Sequence, residues 1–177
     1  SLADRFVLDP SLVFLNHGSF GACPKRVLDA QSEIRMRMEA DPLGFFDRDL
    51  PELLDAARRD VAKLVSADPE GLAFVPNASS GVNAVLQSFP LASGDAVLTS
   101  DHAYPACRNA LAHWAGRAGA ELLVAKVPYP LERSDQVLDA IVAAVKPNVK
   151  LALIDHVTSP TGLVFPIEAI VSALEAR

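Results

Sequence analysis

From residue 72 onward the chain repeats one unit: a short, continuous apolar run, then a stretch whose apolar residues recur at helical spacing. The runs fall at 72–75, 96–99, 122–127 and 151–154, and the helical stretches at 80–89, 105–118, 136–145 and 167–177. Few folds accept that alternation. A strand apolar on both sides needs cover on both faces, and a helix after each strand returns the chain to start the next in the same direction. The pattern predicts an α/β architecture: a mostly parallel sheet with helices on both faces. Before it, residues 1–23 read as irregular, with a glycine-punctuated loop over Asn16-His17-Gly18-Ser19-Phe20-Gly21. One helix is predicted over 24–40, with Val27, Leu28, Ile34 and Met38 near helical spacing. A second, over 51–66, carries Leu53, Leu54, Ala57, Val61, Leu64 and Val65 on one side. Asp41-Pro42 and Asp68-Pro69 punctuate their ends.

Composition narrows what such a fold does. The chain has 177 residues, half of them hydrophobic, enough for a substantial core. Its formal charge of −6 with no basic stripe argues against nucleic acid or an anionic membrane as the main partner. No apolar run approaches the roughly 20 residues of a membrane span, and the first residues lack the layout of a signal peptide. Ser1 in place of Met suggests a trimmed tag or an excised segment. Cys23 and Cys107 form neither a disulfide framework nor a metal-ligand spacing, so no metal is expected and a reducing, cytoplasmic compartment is the default. Each reads as a small buried apolar group or, less commonly, a reactive thiol. The last helix runs to Arg177 with no capping glycine or proline, and a sheet of these strands alone leaves an apolar edge open to water. With a mean hydropathy of +0.23, both features lead us to expect a fragment.

The chemistry gathers where strands hand over to helices. In parallel α/β sheets, ligands bind outside the carboxyl ends of the strands. "FVPNASSGVNAVL" (74–86) places Asn77, Ala78, Ser79 and Ser80 at such a point. A helix start offers unpaired N–H groups and the positive end of the helix dipole, and small residues let phosphate oxygens reach the backbone. The alternative is that Asn77 simply caps the helix. Neither G-x-x-x-x-G-K-[ST] nor G-x-G-x-x-G occurs here, which excludes a P-loop and argues against a dinucleotide site. "TSDHAYPACRNAL" (99–111) supplies His102 and Tyr104 ahead of Pro105, and an aromatic ring there stacks on a flat ligand or packs on its neighbours. "LALIDHVTSPTGLVFP" (151–166) delivers Asp155, His156, Thr158, Ser159 and Thr161 after an apolar strand.

Together with "FLNHGSFGACP" (14–24), these stretches resemble the class V aminotransferase family of fold-type I pyridoxal-phosphate enzymes, specifically its isopenicillin N epimerase-like branch. Cysteine desulfurases look like more distant relatives. The resemblance implies the first half of a pyridoxal-phosphate transferase-like large domain. Residues 1–50 would be an N-terminal arm and first helix that close over substrate, and residues 51–177 the first portion of the cofactor domain. The implied cofactor is pyridoxal 5'-phosphate. Ala78 and Ser79 match the phosphate-cradling turn, and Tyr104 matches the residue that stacks on the pyridine ring. His102, two residues earlier, is a secondary candidate beside the cofactor. Ser159 stands where many relatives place an Asn near the cofactor's 3-oxygen, a departure that bears on how the cofactor is tuned. Asn16, His17 and Gly18 match the segment that helps hold the substrate carboxylate, and Arg48 is a further candidate contact against the commoner reading of an exposed cation.

The family's pyridine-nitrogen Asp and Schiff-base Lys are expected after Arg177, so no catalytic residue is assigned among these residues and the segment alone is expected to be inactive. Asp155 is not that Asp; in the resemblance it belongs to the preceding strand. Lys25 and Lys63 read as helix surface, and Lys126, Lys146 and Lys150 as flanking strands away from the site. The implied activity is chemistry at the α-carbon of a small amino-acid substrate, of epimerase or aminotransferase type, in a full-length homodimer. A cysteine desulfurase or lyase-type relative is one alternative. A non-catalytic half-domain that binds a phosphate ligand or a partner chain is another.

Overall fold

The computed structural model describes residues 2–176; Ser1 and Arg177 lie outside them. The chain forms two compact units, Ser1–Phe74 and Val75–Arg177.

In the first unit an extended arm leads into helix α1 (Lys25–Ala40). Asp41 ends α1, and its carboxylate accepts the N–H of Gly44 at 3.0 Å to start the short turn α2 (Pro42–Gly44). A π-helical turn, Phe45–Asp49, then runs into α3 (Leu50–Val65). Both long helices match their predicted spans to within a residue or so. Their apolar stripes are another matter: α1 has no buried residue and α3 buries only Ala62. Helical spacing reports that a face is apolar, and only a packing partner buries it.

The second unit holds a parallel three-stranded sheet in the order β2-β1-β3, with β1 (Ala96–Ser100) central, β2 (Glu121–Ala125) and β3 (Val149–Leu153). All of β1 is buried. Helix α4 (Ala78–Ser88) precedes β1, α5 (Pro105–Ala118) links β1 to β2, α6 (Asp135–Ala144) links β2 to β3, and α7 (Ile167–Glu175) follows. Alternation along β1 divides the core between two faces. Val97 packs with Leu86 of α4 and with Leu111 and Ala115 of α5. Ala96 and Leu98 pack with Val137 and Ile141 of α6, Ile170 of α7 and Phe165. Each large side chain so buried contributes about 1.5–3 kcal/mol. The predicted sheet with helices on both faces is what these residues form. Pro105 opens α5 at its first turn, and Gly119, at φ 71°, closes it in the left-handed conformation.

The run 72–75 does not join the sheet. Its backbone is extended at Leu72 (φ −112°, ψ 127°), yet no strand among the described residues pairs with it, and Phe74 and Val75 are about half exposed. Strand propensity needs a ladder partner to become a strand. The open edge of β3 is lined by a cavity of about 470 Å³ among Val145, Lys146, Val149, Leu151 and Leu174. No helix among the described residues is long and apolar enough to cross a membrane.

Candidate functional site

The order β2-β1-β3 contains a reversal. Leaving β1, the chain crosses to β2 by α5 on one face; leaving β2, it returns past β1 to β3 by α6 on the other. The chain also leaves the carboxyl end of β1 into α5 on one face and that of β3 into α7 on the other, the arrangement at which parallel sheets bind ligands. The loop after β1 carries Tyr104, and the loop after β3 carries Asp155 and Ser159.

Helix α4 joins this edge from the face it shares with α5. Its carboxyl end connects through a short link to the start of β1, and at about 1.5 Å per residue its length returns its first turn to the carboxyl ends of the strands. Trp114 Nε1 donates to Asn83 Oδ1 at 3.2 Å, tying α5 to α4. The first turns of α4 and α5 therefore stand on the same face and edge of the sheet. Asn77 does cap α4, its Oδ1 accepting the Ser80 N–H at 2.9 Å. Capping and anion binding are compatible here. The cap engages Ser80, and the N–H groups of Ala78 and Ser79 have no partner among the described residues. Ala78 is exposed and Ser79 half-buried.

Tyr104 leads α5 and is 45% exposed. Its backbone N–H donates to Asp155 Oδ2 at 2.8 Å, a bond that joins the loops after β1 and β3. Ser159 lies exposed on the turn after β3. Thr158 and Thr161 close that turn through a hydroxyl pair at 2.8 Å, with Gly162 at φ 66°.

His102 sits differently. It is 8% exposed; its Nε2 contacts the Val127 carbonyl at 3.1 Å and its Nδ1 the Thr161 hydroxyl at 2.9 Å. The carbonyl only accepts, so Nε2 carries a proton. With both nitrogens engaged, His102 offers a ligand no hydrogen bond, and it fastens the Thr158–Thr161 turn to the loop after β2. Its place next to a strand end suggested a ligand contact, and the partners that occupy it lie 25 and 59 residues away.

Cys107, in the first turn of α5, is buried, and burial followed by the charge of Asp155 pushes its thiol pKa up. Cys23 is exposed. Lys126 departs from expectation: it follows β2 at the carboxyl edge rather than away from it, 80% exposed and 3.7 Å from Asp101. Lys146 precedes β3 and Lys150 is its second residue, and Lys25, Lys63, Lys126, Lys146 and Lys150 are all exposed.

In the first unit, Asn16, His17 and Gly18 are exposed on a turn. His17 packs edge-on to Phe14 at 4.7 Å and accepts the Ala22 N–H on Nδ1 at 3.3 Å, so its ring organises the arm. Arg48 pairs with Asp41 at 3.3 Å.

Four similarities join this geometry. The family model for aminotransferase class-V matches residues 13–177. The isopenicillin N epimerase of Amycolatopsis lactamdurans is 40% identical over 166 residues, covering 92% of this chain and 42% of that protein. A putative L-cysteine desulfhydrase of Oryza sativa subsp. japonica is 34% identical over 172 residues, covering 89% of this chain and 36% of its own length. Among solved structures, a mutant of C-DES with glycine covalently linked to its PLP cofactor superposes with a TM-score of 0.91 at 20% identity, over 98% of this chain and 46% of that one. The chain thus spans less than half the length of each.

Proposed function

Because this chain belongs to the aminotransferase class-V family, we propose that the full-length protein is a pyridoxal-phosphate-dependent enzyme acting at the α-carbon of an amino acid, of epimerase or aminotransferase type. The observation that carries the reading is the pair of unpartnered N–H groups at Ala78 and Ser79, on the same face and edge as the half-exposed ring of Tyr104. Their chemistry fits the cofactor: N–H donors on a positive helix end suit a dianionic phosphate, and an accessible aromatic face suits a flat heterocycle.

In this reading Ala78 and Ser79 hold the phosphate through their N–H groups, with the Ser79 hydroxyl as a further donor. Tyr104 covers the ring, and Ser159 donates one hydrogen bond to the ring oxygen. His102 holds the loop that carries Ser159 rather than the cofactor itself. When bound, the cofactor supplies an electron sink for charge that develops at the substrate α-carbon. For Asn16, His17 and Gly18 the substrate-carboxylate role stays a proposal from the resemblance, as do the homodimer and the cytoplasmic location. A covalently reacting lysine needs desolvation beside the cofactor, and the exposure of Lys25, Lys63, Lys126, Lys146 and Lys150 supports reading these residues as inactive alone.

The test is Ser79→Ala in the full-length protein. Loss of one hydrogen bond to a charged group is expected to weaken pyridoxal-phosphate binding by about 1.5 kcal/mol, roughly tenfold in Kd. An unchanged constant counts against the phosphate site. The match to an L-cysteine desulfhydrase favours a second reading, a lyase acting on cysteine. Sulfide release from L-cysteine, without exchange of the α-proton into recovered amino acid, selects it over the epimerase.

A further inference from the structure

Asp155 stands two residues beyond β3, yet its carboxylate works on a different element. Oδ2 accepts the Tyr104 N–H at 2.8 Å across 51 residues of sequence. Tyr104 occupies the cap position of α5 and brings no capping side chain of its own, while Pro105, next in line, has no N–H. A helix start without a cap leaves donors orphaned at the positive end of the dipole, and a carboxylate supplied from the neighbouring loop answers both. The same bond fixes the main chain from which the Tyr104 ring hangs. Tyr104 is 45% exposed, and its tie to the loop after β3 is the backbone bond to Asp155. A second observation places the carboxylate against the helix start: the charge of Asp155 reaches Cys107, three residues after Tyr104, and adds to burial in raising its thiol.

We propose that Asp155 is a positioning residue for the cofactor ring: it caps α5 from the β3 loop and thereby sets where the Tyr104 side chain stands. The inference rests on the reading that Tyr104 covers pyridoxal phosphate. It gives the crevice between β1 and β3 a bridge that holds its two lips in register.

The experiment uses the full-length protein with Asp155→Ala, Asp155→Asn, Tyr104→Ala and the double variant Tyr104→Ala/Asp155→Ala. Pyridoxal-phosphate Kd and the circular dichroism of the bound cofactor are the first readouts. Asp155→Ala is expected to weaken binding about five- to tenfold, in the range of one charge-assisted hydrogen bond, and to alter the cofactor's dichroism. The double variant should bind no more weakly than Tyr104→Ala alone, because the cap acts only through the ring. Asp155→Asn keeps an acceptor for the Tyr104 N–H and should stay within about twofold of the parent. A cofactor-free readout accompanies these: in a Cys23→Ser background, both Asp155 variants should let the Cys107 thiolate absorb at lower pH. Additive losses in the double variant, Asp155→Asn as weak as Asp155→Ala, or an unmoved Cys107 titration each overturn the proposal. If Tyr104→Ala leaves Kd unchanged, the ring-cover reading fails and the proposal goes with it. An intact Tyr104 effect beside additive Asp155 losses sinks the proposal alone.

Discussion

Replacing Asn77 by Asp separates what the α4 start does for the fold from what it does for a ligand. Asn77 is exposed, extended (φ −166°), and accepts the Ser80 N–H on Oδ1 at 2.9 Å. Asn77→Ala deletes that bond and should destabilise the apoprotein by about 1 kcal/mol. Asn77→Asp retains the acceptor and adds a negative charge at the positive end of the helix, worth about 0.3–1 kcal/mol in its favour. Apo stability, measured by urea unfolding, should therefore hold or rise. Binding should move the opposite way. A phosphate on the N–H groups of Ala78 and Ser79 carries two negative charges. With about 5 Å between it and the new carboxylate, in the water-like dielectric of an exposed position, repulsion costs about 1.5 kcal/mol, roughly tenfold in pyridoxal-phosphate Kd. Added salt should shrink that penalty, since exposed charges are screened over about 10 Å at 0.1 M. The opposed signs are the diagnostic. An Asn77→Asp protein that is stable and binds the cofactor as tightly as the parent refutes an anion site at this helix start. One destabilised as much as Asn77→Ala refutes the cap.

Two further outcomes follow from burial. Leu111 is fully buried on α5 against Val97 and Leu86, and Leu111→Ala should cost about 3 kcal/mol in urea unfolding; Leu64→Ala, at a residue 84% exposed, should stay within about 0.5 kcal/mol, and equal losses at the two positions would contradict the assignment of the core. Cys107, its thiol raised by burial and by Asp155, forms thiolate only above the ordinary thiol range, so iodoacetamide at neutral pH should modify exposed Cys23 first and reach Cys107 only as pH rises. Peptide mapping of both sites checks this, and early modification of Cys107 would count against its burial.

The alternation of apolar runs and helical stretches identified the parallel sheet and its helices because each signal is local: period, punctuation and length are all readable within a dozen residues. Ala78, Ser79, Tyr104 and Ser159 stand out as candidates for the same reason, since each lies at a turn or helix start marked by small residues or proline. The residues 72–75 failed that logic. Their sequence is as strand-like as 96–99, but a strand is a relation between two segments, and no pairing segment stands beside them among the described residues. The apolar spacing of α1 does form its helix, with none of its residues buried.

His102 and Asp155 mark the deeper limit. Both stand next to strand ends, where polar groups invite a functional reading, and the sequence offers nothing to distinguish them. The structure separates them by topology. The reversal of direction at β1 brings the loops after β1 and β3 face to face, so Asp155 meets Tyr104 across 51 residues, while His102 is drawn against Val127 and Thr161. The switch in strand order therefore decides two things at once: where a crevice opens, and which polar side chains are spent holding its walls. Residues spent in this way have hydrogen-bonding groups already committed to the fold. That is why our proposal rests on the unpartnered backbone donors of Ala78 and Ser79 and on half-exposed Tyr104 rather than on the better-connected His102.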